Sequence, residues 1–255
     1  MDELKKPVDM RAILTFHSID DSGSVISCSP NNFTRILKSL AQRNIPVYDL
    51  ETLLLPNTGR GVAITFDDGM RSVCHTALPL LAEYGATAHV FITTGAVGES
   101  RYWPPQPADI PSFEMLNWDE IEQLHNAGIA IENHTHTHPD MRGLSRAQME
   151  DDCGTADTLI ENRLGRRPEY FAYPFGYHGK PVREFARAQY RGTVTTELRM
   201  LGEREDSAAI PRIDSYYLKS GSVSRNIDSL LARSYLGVRN ILRNWKGSQC
   251  AAGCD

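Results

Sequence analysis

Three of the chain's eight histidines fall within five residues, in Glu132-Asn-His134-Thr-His136-Thr-His138-Pro139. Core packing does not gather imidazoles in this way. A histidine cluster leaving a strand end can aim two rings at one point, where they ligate zinc or a related divalent ion; a solvated polar turn is the plain alternative. The run Gly61-Val-Ala-Ile-Thr-Phe66 reads as a buried strand ending in Asp67-Asp68-Gly69. Adjacent aspartates at a strand end point in different directions, so one can ligate a cation while the other handles a proton, and the metal charge keeps both ionised. Gly69 permits the sharp turn that such convergence needs. An ordinary Asp-Gly turn or a helix cap is the competing explanation. In a third segment, Phe171-Ala172-Tyr173-Pro174-Phe175-Gly176, the proline and glycine impose a backbone path that can present an amide N–H to a developing oxyanion.

Residues so far apart in sequence converge only if the fold brings several strand ends together. Apolar runs predict strands at Ala12–Phe16, around Val47-Tyr48, and at Gly61–Phe66, Ala88–Ile92, Ile129–Glu132, Tyr170–Ala172, Thr193–Thr195 and near Ile210–Ile213. Between them the spacing predicts helices. The first is capped by Ser29, starts with Pro30 and buries Phe33, Ile36, Leu37 and Leu40. Others are expected over Ser72–Tyr84, stopped by Gly85, over Trp118–Ala127 behind an Asn117 cap, and near Val182–Ala188. A longer one runs from about Ser145 to Leu164 with a stripe of Met149, Cys153, Ala156 and Ile160. About seven strand-then-helix units imply a mostly parallel sheet with helices outside it, and a closed or nearly closed α/β barrel fits best. The proline-rich stretch Glu99–Met115, with Pro104, Pro105, Pro107 and Pro111, follows a strand end, where barrel enzymes place specificity loops.

Composition narrows the function classes. The 255 residues are 41% hydrophobic and 23% charged, enough for a sizeable core. Lys and Arg number 27 against 32 Asp and Glu, so no field favours long polyanions and nucleic acid is not an expected partner. The opening residues lack the apolar segment of a secretory signal and no run reaches a membrane span, so a cytoplasmic location is expected. Cys28, Cys74, Cys153, Cys250 and Cys254 contain no Cys-x-x-Cys pair, so they signal neither a disulfide framework nor a thiolate zinc site.

Taken in order, the three chemical segments resemble the polysaccharide deacetylase family, the NodB-homology or carbohydrate esterase family 4 proteins. Thr65-Phe-Asp-Asp-Gly69 matches one family motif and His134-Thr-x-x-His138 fits its His-Ser/Thr-x-x-His, while Phe171-Ala-Tyr-Pro-Phe-Gly176 is similar to the third motif of one subgroup. The start, Leu14-Thr-Phe-His17-Ser-Ile19, resembles a Tyr-His-x-Ile strand of many members. The resemblance spans about residues 12–214 and implies a distorted (β/α) barrel and a metal-dependent N-deacetylase. It implies Asp68, His134 and His138 as ligands of a divalent ion, zinc being the first expectation, with Asp67 as general base and the Phe175 N–H on the oxyanion. Tyr173 and Pro174 are expected to line the substrate, an N-acetylated amino sugar in a glycan or a biosynthetic intermediate. Trp103, Tyr173 and Tyr177 are rim aromatics that could stack on a sugar ring.

The chain departs from the fuller family pattern at two places. Ala172 stands where many members carry an arginine that orients the base; Arg212, in Ile210-Pro-Arg-Ile213, is the candidate replacement. The family's late Leu-x-His general acid has no counterpart, since no histidine follows His178; His17, His136 and His178 are the candidate donors. The expected domains are a barrel over 1–218, a basic amphipathic helix over 219–246 and a flexible tail over 247–255. The segment 219–246 carries six basic residues against Asp228, and Ile227, Leu230, Leu231, Tyr235, Val238, Ile241, Leu242 and Trp245 give it an apolar face. It either packs on the barrel or touches an anionic membrane surface, which would suit a lipid-linked substrate. Two other classes stay open: a non-catalytic carbohydrate-binding protein on the same fold, and a non-haem iron enzyme using two histidines and a carboxylate.

Overall fold

The computed structural model describes residues 10–101, 112–219 and 226–251. Seven parallel strands form one curled sheet. They are β1 (Arg11–Phe16), β2 (Gly61–Phe66), β3 (His89–Ile92) and β4 (Ala130–Asn133), followed by β5 (Tyr170–Ala172), β6 (Gly192–Val194) and β7 (Ile213–Asp214). Their spatial order is β6-β5-β4-β3-β2-β1-β7. The strands are buried along nearly their whole length because both faces are covered, as a parallel sheet requires. Alternation along them divides the core. Ile13, Ala63, Phe91, Ala172 and Val194 pack inside the curl, whereas Leu14, Phe16, Ile64, Phe66, Val90 and Ile92 meet the surrounding helices.

Parallel register alone gathers the chemical segments at one rim. Phe16 is level with Phe66, so His17 leaves the sheet beside Asp67; Ile92 is level with Asn133, so Thr93 leaves beside His134. Asn133 is in turn level with Phe171, which puts Ala172 next to His134. The expected closure comes from residues 207–214. Thr193 N–H donates to Ser207 O at 2.7 Å and Thr195 N–H to Ile210 O at 2.8 Å, after which Ile213 pairs with Leu14 of β1. This one run therefore joins both edges of the sheet.

The helices are α1 (Pro30–Gln42), α2 (Leu50–Leu54), α3 (Leu78–Glu83), α4 (Trp118–Asn126), α5 (Arg146–Leu164), α6 (Lys180–Gln189) and α7 (Leu230–Ala251). Ser29 caps α1, and reciprocal capping boxes start α4 (Asn117 with Glu120) and α5 (Ser145 with Gln148). The helix expected over Ser72–Tyr84 is interrupted: Val73–Ala77 is π-helical and α3 begins only at Leu78. Pro79 has no N–H to continue an α ladder, which accounts for the wider turn before it. No helix was expected at α2; there Asp49 caps a single turn whose Leu50 and Leu53 plug the inside of the curl against Ile13 and Phe91. The strand expected at Val47-Tyr48 is a single bridge to Val62.

The loop after β3 is anchored by a small antiparallel ribbon, Ser100–Arg101 against Phe113–Glu114, and Leu116 N–H donates to Gly69 O at 2.9 Å. Its base thus lies beside Asp68; Trp103 and the four prolines lie outside the described residues. Cys28, Cys74 and Cys153 are free, buried thiols.

The C-terminal helix α7 docks with Ala232 and Leu236 in the main core. Arg239 lies over the Tyr217 ring at 5.5 Å, and Arg243 donates to Thr196 O at 2.7 Å. Its other long face exposes Leu231, Tyr235, Val238, Ile241 and Leu242, with Leu231 84% exposed. The side chains of Trp245 and Lys246, and residues 252–255, lie outside the description. Among the described residues no helix is long and apolar enough to cross a membrane.

Phe16, Phe33 and Phe66 form an aromatic triangle with ring centroids 5.0 to 5.8 Å apart, fixing α1 to β1 and β2. Phe33→Ala is expected to cost about 3–5 kcal/mol. Urea unfolding with an unchanged slope checks it, and a loss below about 1 kcal/mol would contradict this packing.

Candidate metal and catalytic site

Three of the four segments that build the site change direction through backbone that side chains seldom adopt. Asp68, Thr135, His138 and Phe175 have φ of 70, 70, 57 and 58°. Such conformations cost of order 1–3 kcal/mol each and persist only where the surroundings impose them. Gly69 and Gly176 follow two of these residues with φ of 83 and 71°. Gly176 is doubly constrained, since a Cβ there would lie 2.1 Å from Thr196 Oγ1.

Asp68, His134 and His138 come together as expected, one potential ligand atom of each lying within 4.8 Å of the others. His134 Nε2 is 3.2 Å and His138 Nε2 3.5 Å from Asp68 Oδ1. His134 Nδ1 lies 2.8 Å from Ala172 O. A carbonyl only accepts, so Nδ1 must donate, which leaves Nε2 aimed at Asp68 as a ligand atom. Thr135 holds the turn between the two histidines, its Oγ1 accepting the His138 N–H at 3.0 Å. Burial would raise the Asp68 pKa, but hydrogen bonds from His134 and His138 hold it well below the ordinary value. Burial would lower that of His134, yet Asp68 and Asp67 raise it, whereas burial and the neighbouring His134 charge hold His138 down. Two imidazole nitrogens and one ionised carboxylate, almost wholly buried and converging on one point, fit a divalent ion with a coordination position left for water.

Beside this triad sits Asp67, whose carboxylate is gripped by both Arg212 nitrogens, Nη1 to Oδ1 at 2.7 Å and Nη2 to Oδ2 at 2.6 Å. The side chains of both are buried, Arg212 at 1% and Asp67 at 6% exposure. Arg212 is itself oriented by Thr195 O (3.0 Å from Nε) and Thr65 Oγ1 (3.2 Å from Nη1). Burial pushes the Asp67 pKa up; the Arg212 charge and hydrogen bonds outweigh it, with smaller help from His134 and His17, and hold it below the ordinary value.

The other candidates are placed as follows. His17 is half-buried at the same rim, near enough to both aspartates to stabilise their charge, and its buried Nδ1 has no hydrogen-bond partner among the described residues. His136 turns its Nδ1 to Thr94 Oγ1 at 2.9 Å, and His178 packs on the Tyr173 ring with centroids 5.0 Å apart. The Phe175 ring lies edge-on to His138, centroids 4.5 Å apart, so its left-handed turn borders the triad. The substrate-lining expectation for Tyr173 is corrected. Tyr173 is 1% exposed, its hydroxyl donates to Ala208 O at 2.9 Å and its ring packs with α5 and α6, while Pro174 is buried beside it. A residue at a strand end has two faces to choose from, and Tyr173 takes the core one. Tyr177 is exposed, with the Arg142 guanidinium 4.1 Å above its ring.

Sequence reasoning did not single out Thr65, Asn133, Thr93–Gly95 or Asp152, all of which brace the site. Only Asn133 and Thr65 carried a signal, by standing next to or within a motif.

A curled parallel sheet with a two-histidine, one-carboxylate triad beside a buried, arginine-paired carboxylate at its C-terminal rim defines the class, an α/β barrel with a group of side chains suited to a metal ion. The family model described as Polysaccharide deacetylase matches residues 55–192, just over half of the chain, and the chain belongs to that family. YxkH of Bacillus subtilis is 26% identical over 200 residues, covering 76% of this chain and 66% of that protein. The poly-beta-1,6-N-acetyl-D-glucosamine N-deacetylase of Staphylococcus aureus is 26% identical over 173 residues, 62% of this chain and 53% of that one. The chain thus spans between about half and two thirds of the length of these relatives. The structure of IcaB from Ammonifex degensii shares the fold, with a TM-score of 0.71 at 22% identity over 85% of this chain and 97% of that one.

Arg212→Met would strand a buried carboxylate, at an expected cost of about 3–5 kcal/mol, and the Asp67→Asn, Arg212→Met double variant is expected to lose less than the sum of the singles. Because the folded Asp67 lies below its ordinary 3.8, the pair's contribution is complete at neutral pH and is lost as acid takes the protein below 3.8 through the folded value. Chemical unfolding of metal-free protein between pH 7 and 3 checks this; equal acid sensitivity in wild type and Asp67→Asn would contradict it.

Proposed function

We propose that the chain hydrolyses the N-acetyl group of amino-sugar residues, in a glycan or a glycan-biosynthesis intermediate, releasing acetate and leaving a free amine. The observation that carries this reading is an ionised, arginine-clamped carboxylate directly beside an Asp-His-His triad. The family supports the reaction, and the printed name of the Staphylococcus aureus relative supports an N-acetylglucosamine polymer as substrate class. A divalent ion held by Asp68, His134 and His138, which we take to be zinc, would polarise the amide carbonyl and lower the pKa of a bound water.

The chain's own groups supply the remaining steps. Asp67, kept ionised and fixed in direction by Arg212, takes a proton from the attacking water. The Phe175 N–H donates to the oxyanion that forms as the carbonyl becomes tetrahedral. The leaving nitrogen needs a proton before the C–N bond breaks. His17 is the donor we assign, because it shares the rim with both aspartates while His136 is tied to Thr94 and His178 packs on Tyr173. The Arg212 clamp gives Asp67 a use that an iron site or a purely sugar-binding protein would not need.

The exposed face of α7 supports a second, separate reading, contact with the periphery of an anionic membrane, where a lipid-linked substrate would be presented. Leu231, Tyr235, Val238 and Leu242 follow one another at helical spacing along a solvent-facing stripe. Arg239 and Arg243 turn to the barrel, so the apolar stripe has to supply most of the adsorption.

Acetate release from a panel of N-acetylated sugars, oligosaccharides and lipid- or nucleotide-linked forms, with zinc-loaded and chelator-stripped protein, tests the activity. Metal-dependent acetate is expected, and none from any member with metal bound would overturn the reading. Asp67→Asn should retain metal and lose activity, His134→Ala should lose both, and His17→Ala should lower kcat by roughly 10²–10⁴-fold. Co-sedimentation with anionic liposomes should fall in a Leu231→Glu, Val238→Glu, Leu242→Glu variant; unchanged sedimentation would remove the membrane reading.

A further inference from the structure

The three ligands of the triad come from two separate loops, so something other than the ligands must set the distance between them. On one side this is done by Thr93–Gly95, the segment leaving β3. Thr93 N–H donates to Asp68 O at 3.4 Å, and its Oγ1 to His134 O at 3.1 Å. Thr94 N–H then donates to Thr135 O at 3.2 Å and Gly95 N–H to His136 O at 2.9 Å. The segment is thereby stitched to both loops at once. Gly95 fits so closely that a Cβ on it would lie 2.5 Å from His136 O.

On the other side stands Asp152, in the second turn of α5. Aspartate is among the poorer helix-interior residues. Here its carboxylate leaves the helix to hold the stretch between the two ligand histidines: Oδ1 accepts the N–H groups of His136 at 2.6 Å and Thr137 at 3.2 Å, and Oδ2 accepts the Thr137 hydroxyl at 2.5 Å. None of these contacts involves a ligand atom. The loop that carries His134 and His138 is therefore clamped from behind by α5 and from the front by Gly95, both sides acting on residues 136–137.

We propose that Asp152 is a positioning residue for the metal centre, which with Gly95 preforms the spacing of His134 and His138 before any ion binds. The inference rests on the metal centre of the proposed function and not on its substrate. Groups that hydrogen-bond the ligands themselves typically govern metal affinity by 10–100-fold without touching the ion, and a clamp on the loop between two ligands acts on the same spacing.

The test is titration of chelator-stripped protein with zinc alone, read by competition with a chromophoric chelator, and with cobalt alone, read by its absorption spectrum. Asp152→Ala is expected to weaken zinc roughly 10–100-fold and to alter the cobalt spectrum. Asp152→Asn, which keeps an acceptor for the two N–H groups, should recover most of the affinity. Glu150→Ala, which removes only an exposed pair with Arg146 on the same helix, should bind as wild type does. Wild-type zinc affinity and an unchanged cobalt spectrum in Asp152→Ala would overturn the proposal. Should that variant fail to fold, Gly95→Ala and Thr137→Val address the same clamp from its two sides, and wild-type affinity in both would overturn it equally. A wild-type protein that binds no zinc would overturn this inference together with the metal centre. One that binds zinc but releases no acetate would overturn only the deacetylase reading, since the affinities are measured without substrate.

Discussion

The bidentate pair between Arg212 and Asp67 is the interaction on which the rest of the site depends. Two charges taken this far from water are expensive, and hydrophobic replacements of such pairs are often neutral or stabilising elsewhere. Stability alone does not account for it. The guanidinium keeps a buried carboxylate ionised against desolvation and points it beside the metal triad. It also ties Thr65 of β2 to Thr195 beyond β6, so one side chain crosses the interior of the curl. The departure from the common arginine position at Ala172 is thus answered from the opposite edge of the sheet.

Around that pair the fold spends conformational strain where geometry matters. Four residues with left-handed backbone, Asp68, Thr135, His138 and Phe175, lie in the segments at the site, while the other two non-glycine ones in the described chain, Asn44 and Asn57, occupy ordinary turns. Asparagine tolerates that region; Thr135, His138 and Phe175 occupy it because hydrogen bonds and packing leave them no other path. The strained turns therefore fall where the side chains of the site converge.

Much of this was legible in the residues. Continuous apolar runs marked the strands, capping residues marked α1 and α4, an apolar stripe marked α5, and the family resemblance pointed to Asp68, His134 and His138. What stayed hidden were features decided by tertiary contact. The single turn of α2 is too short for periodicity to register, and the π-helical turn before Pro79 is a response to one missing N–H. Tyr173 stands at a strand end where either face was open to it, and only packing against α5 and α6 turned it inward. Asp152 carries no signal in the sequence, standing among the charges of a helix whose stripe of Met149, Cys153, Ala156 and Ile160 marks only its buried side. The C-terminal segment could pack on the barrel or touch a membrane, and it is the barrel surface, with Tyr217 and Thr196 as partners, that turns Arg239 and Arg243 inward.

The run 207–214, which joins both edges of the sheet, also has a temporal meaning. β1 stands near the beginning of the barrel in sequence and β7 at its end, with some two hundred residues between the partners Leu14 and Ile213. Contacts of such separation form late, because the loop they close must be ordered first. Arg212 arrives with that same run. During synthesis, every motif through Gly176 can emerge while Asp67 still lacks its counter-charge, so a chain paused short of residue 212 holds a carboxylate that no guanidinium fixes in direction. Completion of the barrel and the clamping of Asp67 are one event in the life of the nascent chain.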